Sequence, residues 1–319
     1  MRIGVLNNLR AGRNQRRVAR MLSFLRECPE IPHVETESGE HVQEALAMLA
    51  KQDIDILAVN GGDGTLQRVL TEVVGNEVFG RVPSIVPLRG GRTNMIALDI
   101  GSHRNPVAGL AALRESIRRN TSLNGRMVER PVLCMELEPD GMTHYGMSFS
   151  VGLLPRAIEL THRMFPEGRA QGVFGSAVVA GGLVLRAAFG KLDGILQPDP
   201  MEIMLDGRPL AAKEFLVMLV TTLDRFFFQL HPFWGRETGS VRFMAVAAGA
   251  VLSPLALPRI LYGRPPAWIT PEVGYTSHNV EHLELRVDCG LVLDGEMYAP
   301  RRGRRVRLSA ERRVLFVRT

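Results

Sequence analysis

The sequence predicts an α/β domain on a parallel sheet, followed by a mainly antiparallel β domain with a helical insertion. Three observations carry this. Apolar strand-like runs alternate with amphipathic helical spacing up to about residue 125. Two of those runs lead into glycine-rich turns, Gly61-Gly62-Asp63-Gly64-Thr65 and Arg89-Gly90-Gly91-Arg92-Thr93-Asn94. From Arg130 onward β-type runs are separated by hairpin signals, Asp140-Gly141 and Asp206-Gly207.

In order, residues 2–6 read as a strand, 7–14 as a polar, basic turn and 15–26 as an amphipathic helix. Residues 33–36 form a second strand, and Ser38 caps a helix whose apolar face is Val42, Ala45, Leu46 and Leu49. Residues 55–59 form a third strand, and Leu66, Val69, Leu70, Val73 and Val74 follow at helical spacing. Residues 84–88 form a fourth strand. Segments 132–138, 143–151 and 215–221 are expected strands of the second domain, with helix within 158–185. Residues 281–287 alternate apolar and charged, and 314–317 close the chain as a strand. The expected domains are residues 1–125 and 126–304, with 305–319 returning to the first.

Apolar content of 45% and charged content of 23% are those of a globular protein. The net charge of +6 suits polyanions without choosing among them. Aromatic content of only 6%, not interleaved with basic residues, argues against a nucleic-acid partner. Cys28, Cys134 and Cys289 are scattered with no CxxC, which argues against a disulfide framework or thiolate zinc site. A reduced cytoplasmic compartment is therefore expected. The apolar stretches 170–185 and 243–258 are bracketed by arginines and fall short of the ~18–20 residues of a spanning helix.

The Gly61–Thr65 turn has a chemical reading. Glycines let a phosphate approach the backbone, and the following helix N-terminus suits an anion. A carboxylate there makes sense if Asp63 holds a metal ion or accepts a proton; an ordinary turn with Asp63 as N-cap is the alternative. The late Asp294-Gly295-Glu296 alone reads as a hairpin turn.

Three features stand in register: the basic loop after strand one, the turn at 61–65 and the late Asp294-Gly295-Glu296. Together they resemble the diacylglycerol kinase catalytic-domain family, including bacterial lipid kinases and sphingosine kinases, over essentially the whole chain. The resemblance implies a first domain like that of NAD kinases and phosphofructokinases. It implies transfer of the γ-phosphate of ATP, with Mg²⁺, to the hydroxyl of diacylglycerol or a related lipid. Gly61, Gly62, Gly64 and Thr65 would donate to the phosphates, and Asn8, Arg10, Gly12, Thr36, Arg92, Thr93 and Asn94 would line the nucleotide. Asp63 would bind Mg²⁺. Asp294 and Glu296 would approach across an interdomain cleft, one of them as the base for the lipid hydroxyl.

The expected partners are a lipid at the inner membrane face, met peripherally, and at most a second copy of the chain. Arginines 301, 302, 304, 305 and 307 either meet an anionic leaflet or form a solvated basic face. Departures from the family are Leu9 and Ala11 for its Pro and Ser, and Met95 for its second Asp. The family's structural Mg²⁺ site is not carried over, because residues 238–240 lack the carboxylate. NAD kinase, and a catalytically impaired nucleotide- or lipid-binding regulatory protein, are the other readings.

Overall fold

A computed structural model describes residues 1–12, 14–37, 41–164, 196–226, 229–251, 253 and 255–319. The Ser38 cap, the whole apolar stretch 170–185 and the later part of the helical insertion lie outside the described residues. The chain divides into two units. One is Met1–Val132 with His144–Gly146 and Arg312–Thr319; the other is Leu133–Thr143 with Met147–Glu311.

In the first unit the strands are β1 (Ile3–Asn8), β2 (His33–Thr36), β3 (Ile56–Gly61), β4 (Ser84–Arg89) and β5 (Met127–Pro131), joined by the chain's last strand, β18 (Arg313–Val317). The sheet order is β2-β1-β3-β4-β18-β5. All neighbours run parallel except β18 and β5. The helices are α1 (Asn14–Arg26), α2 (Val42–Ala50), α3 (Asp63–Leu70), α4 (Met95–Ile100) and α5 (Pro106–Arg118).

Strands β1 and β3 read as continuous apolar runs because both faces are covered. Val5, Ala58 and Val86 pack with Met21 and Leu25 of α1 and Leu110 and Leu113 of α5. Successive strand residues face opposite ways. At Gly4, accordingly, a Cβ would meet Leu49 of α2, 3.3 Å away. The turns after β1, β3 and β4 all leave the carboxyl edge of the parallel strands, where such sheets bind ligands.

The boundary falls later than residue 125, because Met127–Pro131 pairs with Arg313–Val317 and so completes the first sheet. The C-terminal return is correspondingly shorter than 305–319. Residues 304–309 belong to the second unit.

In that unit the strands are β6 (Leu133–Glu138), β7 (Met142–Gly146, whose last three residues cluster with the first unit), β8 (Ser148–Gly152), β9 (Asp199–Leu205), β10 (Arg208–Pro209), β11 (Glu214–Thr221), β12 (Val241–Ala247), β13 (Tyr275–Val280), β14 (His282–Val287), β15 (Leu291–Leu293), β16 (Glu296–Tyr298) and β17 (Arg304–Ser309). Helix α6 (Leu153–Met164) follows β8. The paired strands are antiparallel. β9 joins the two halves of the sheet: Asp199 and Pro200 pair with β11, and Met201–Val287 through Leu205–Leu283 pair with β14. In β9, β14 and β17 buried and exposed residues alternate, so one face packs on the core and one meets solvent. Leu133, Met135, Ile203, Phe215, Phe243, Leu285 and Val306 are among the core residues.

Both turn signals are in place. Gly141 has φ 64°, and Asp206 and Gly207 have φ 46° and 76°, the left-handed pair a tight hairpin needs. In the basic tail Arg301, Arg302, Arg305 and Arg307 are exposed and one arginine is not. Arg304 is buried, Arg301 pairs with Asp140, and Arg307 pairs with Glu138 at 3.0 Å.

Candidate active site

The two parts of the expected site belong to different units. In the α/β unit, the register sets Asn8 at the end of β1 beside Thr36 of β2, and Asn7 beside Asn60 of β3. Asn8 Nδ2 donates to Thr65 Oγ1 at 2.8 Å, which ties the first loop to the Gly61–Thr65 turn. Asn8 Oδ1 accepts the Arg10 amide at 3.0 Å. The Arg10 guanidinium reaches Glu37 at 3.0 Å, both largely exposed, so that pair adds little stability. The Thr36 hydroxyl is buried and finds no partner.

Helix α3 starts at Asp63, and its N-cap Gly62 supplies no side-chain cap. No N-cap side chain therefore meets the amides of its first turn, at the positive end of the helix. The Asp63 carboxylate also reaches beyond its own helix. Its Oδ1 accepts the Ile96 amide at 3.0 Å, from the first turn of α4. Burial pushes the Asp63 carboxyl above its ordinary value, against the pull of the amides of Ile96, Met95 and Asn94.

The second turn is locked from within. Asn94, in the left-handed region with φ 55°, donates to Gly91 O and accepts Gly91 N, both at 2.7 Å. The two turns touch backbone to backbone. Gly90 N donates to Gly61 O at 3.1 Å, and a Cβ on Gly91 would lie 2.3 Å from Gly62 Cα. Arg92 folds over the first loop, so that a Cβ on Gly12 would lie 2.2 Å from Arg92 Cγ. Thr93 is half-buried. A void of only ≈ 10 Å³ remains beneath, against Asp63 and Asn94.

Asp63 fits Mg²⁺ in one mode. Among the described residues no group of three or more His, Cys, Asp or Glu could hold a cation alone. Mg²⁺, however, is commonly held by one or two carboxylates plus substrate phosphates and waters. A carboxylate whose charge is disfavoured by burial gains from a cation beside it. With bound nucleotide, the ion would neutralise charge on the phosphates.

In the β unit, Asp294 and Gly295 have φ 48° and 89° and form the two-residue turn between β15 and β16. The sequence alone left open which carboxylate is accessible. Asp294 is buried. Its carboxylate accepts Met147 N at 2.8 Å, Ser148 N at 2.9 Å and Ser148 Oγ at 2.8 Å, so it pins the turn to β8. Glu296, the first residue of β16, is half-buried. Asp294→Ala strands two amides and a hydroxyl and should cost about 3–5 kcal/mol. Chemical denaturation should show it as a lower midpoint.

Ser148 and the asparagines at 7, 14 and 60 were not singled out from the sequence. Asn14 Nδ2 donates to Asn8 O at 2.7 Å and Asn60 O at 2.8 Å, which braces the first loop against β3. Asparagine at the last inward positions of buried strands was the available signal. The place expected for the family's structural metal is taken by protein: Glu237 binds His278 Nδ1 at 2.6 Å and the Asn279 amide at 3.0 Å. Burial opposes its charge, but these hydrogen bonds prevail and bring its pKa down to about 2.

A parallel α/β unit with glycine-rich turns at its carboxyl edge is followed in the chain by an antiparallel β unit. Residues 2–124 match the family model described as the diacylglycerol kinase catalytic domain. Solved structures share the architecture along the chain. One, a protein of Bacillus anthracis str. Sterne carrying a provisional diacylglycerol kinase assignment, has TM-score 0.67 and 13% identity, covering 99% of this chain and 96% of that one. A second, described as a diacylglycerol kinase of the same organism, has TM-score 0.61 and 11% identity, with the same coverage. At such identities the likeness is one of fold. No curated protein matches the chain. Among the described residues no helix is long and apolar enough to cross a membrane.

Proposed function

We propose that the protein is a lipid kinase that transfers the γ-phosphate of ATP, with Mg²⁺, to the hydroxyl of diacylglycerol or a related lipid. The observation that carries this is the uncapped N-terminus of α3, with Asp63 beside it, inside the segment matching the diacylglycerol kinase catalytic domain. Phosphoryl transfer needs positioning and charge neutralisation more than covalent chemistry. Amides of Gly64 and Thr65 would cradle the phosphates, Asn8 would hold the Thr65 hydroxyl in place, and Asp63 would take the metal. Thr36, Arg10, Gly12, Arg92 and Thr93 would border the nucleotide.

In the β unit the roles of the carboxylates divide. Asp294 is committed to two amides and a hydroxyl, so it serves as the pin of the turn. Glu296 would accept the proton of the lipid hydroxyl. Glu296→Gln should then lower kcat by roughly 10²–10⁴-fold, the usual worth of a general base, with unchanged stability. A variant at full activity would remove Glu296 from that role.

The direct test is radiolabel transfer from γ-labelled ATP in the presence of Mg²⁺, with diacylglycerol vesicles in one arm and NAD in the other. Label in the lipid supports the proposal. Label in NAD alone replaces it with an NAD kinase. Nucleotide binding without transfer to any extracted lipid leaves a regulatory module. Vesicle sedimentation reports on peripheral membrane contact.

A further inference from the structure

The β unit carries exposed apolar side chains that its own core does not use. Among the described residues eleven large apolar side chains are exposed, and four of them, Val251, Leu255, Tyr262 and Trp268, fall on one short segment. The other seven are spread along the chain. Scattered apolar residues on a surface are normal, whereas a cluster marks a docking face. We propose that this face docks peripherally on an anionic membrane. Leu255, Tyr262 and Trp268 enter the interface, and Arg259 and Arg264 meet the headgroups.

The local structure turns these residues outward. Ser253 O accepts the Ala256 and Leu257 amides at 3.1 and 3.2 Å, and the turn continues as α7 (Leu257–Leu261). Ala256, Ile260 and Ile269 pack inward with Met244 and Val246 of β12 and Tyr275 of β13. Leu255, Pro258, Arg259 and Tyr262 fall at i, i+3, i+4 and i+7, and all four are exposed. Leu255 is 90% exposed, the highest value of the eleven. The Tyr275 hydroxyl donates to Val251 O at 3.0 Å, which ties the start of the segment to the sheet.

Chemistry selects the occupant. No Asp or Glu occurs between Glu237 and Glu272. Arg259 and Arg264 are exposed there and have no ion pair among the described residues. Glu272 is held by the Thr270 side chain. Anionic headgroups match that charge. Tyr and Trp favour the membrane–water boundary because each has an apolar body and a polar tip. A second copy of the chain fits poorly. A stable dimer needs ~20–30 residues a side, and pairing like faces sets arginine against arginine. The basic tail fits the leaflet less well, because Arg305 and Arg307 stand opposite Glu138 and Glu136 in the β17–β6 ladder. The proposal rests on the lipid-kinase reading for its purpose, since a leaflet holds the substrate, but docking needs no ATP.

The test is co-sedimentation of the full chain, without ATP, with vesicles of phosphatidylcholine mixed with phosphatidylserine, and of phosphatidylcholine alone. Wild type should bind the mixed vesicles tenfold or more tighter, an advantage that salt reduces. Leu255→Ser/Tyr262→Ser should weaken that binding tenfold or more, with an unchanged denaturation midpoint. Arg259→Ala/Arg264→Ala should remove most of the preference for mixed vesicles. Met48→Ser/Val82→Ser changes two exposed apolar residues of the α/β unit and should bind like wild type. Tryptophan emission should shift to the blue on binding, and Trp268→Phe should abolish the shift. Three results overturn the proposal: wild type that binds neither vesicle, Leu255→Ser/Tyr262→Ser that binds like wild type, or loss of self-association alone in that variant. Docking without label transfer to lipid removes the kinase and leaves this face standing. Transfer to lipid with docking untouched by Leu255→Ser/Tyr262→Ser does the reverse.

Discussion

Asp63→Asn is expected to reduce phosphoryl transfer by roughly 10³-fold, the loss that follows removal of a strong electrostatic contribution to a transition state. The substitution is informative because it separates charge from architecture. Asn keeps an Oδ1, so the bond from the Ile96 amide at 3.0 Å, which ties α3 to α4, can persist. What disappears is the negative charge that would hold Mg²⁺ against the phosphates. Stability should move the other way. Burial raises the Asp63 carboxyl pKa, so in the wild type the associated stability is present below the unfolded value near 3.8 and is lost as pH rises through the folded value. Asn does not titrate. Above that window the variant should therefore equal or exceed wild type in unfolding free energy, while being inert in the radiolabel assay. Full activity would remove Asp63 from catalysis. Loss of activity together with a lower denaturation midpoint would instead make Asp63 a structural tie between the turns.

The turn at 61–65 was legible in the sequence because its signal is local. Glycines, a carboxylate and a strand-to-helix change of period all fall within a few residues, and the structure sets them at the carboxyl end of β3. Parallel pairing of the first four strands was legible for a similar reason: each β–α step repeats the same pattern. What escaped was long-range. Asp63 looks like a cap for α3 in the sequence, but its carboxylate also takes the amide of Ile96, which lies in α4. Asp294 looks like a catalytic candidate, but its partners Met147 and Ser148 lie on β8, far back along the chain. The domain boundary was misplaced because β5 has apolar and charged residues of no marked pattern. Its partner, β18, comes from the opposite end of the chain. The buried asparagines were invisible for another reason. Polar residues ending a strand usually announce a loop, and here Asn7 and Asn60 are 0% and 1% exposed. Only three-dimensional closure of the edge shows that they are inside.

Gly91→Ala should destabilise the α/β unit by about 1–3 kcal/mol, the usual cost of overpacking, and should lower activity by about 10²-fold. The reason is contact between backbones. A Cβ at Gly91 would sit 2.3 Å from Gly62 Cα and 3.2 Å from Gly62 N. Neither is the end of a flexible side chain, so the turns must part. Asn94 resists this from one side through its two 2.7 Å bonds to Gly91, and the Gly90 to Gly61 bond resists it from the other. The strain therefore passes to the Gly62–Thr65 segment, where a displacement near 1 Å would misplace the phosphate-facing amides. Gly80→Ala is the matched control, because its Cβ would meet nothing within 4 Å. It should stay within ~0.5 kcal/mol of wild type. Denaturation curves and nucleotide titration on the two variants decide the matter. If Gly91→Ala binds nucleotide and transfers label as well as Gly80→Ala does, contact between the two turns is not what shapes the phosphate site.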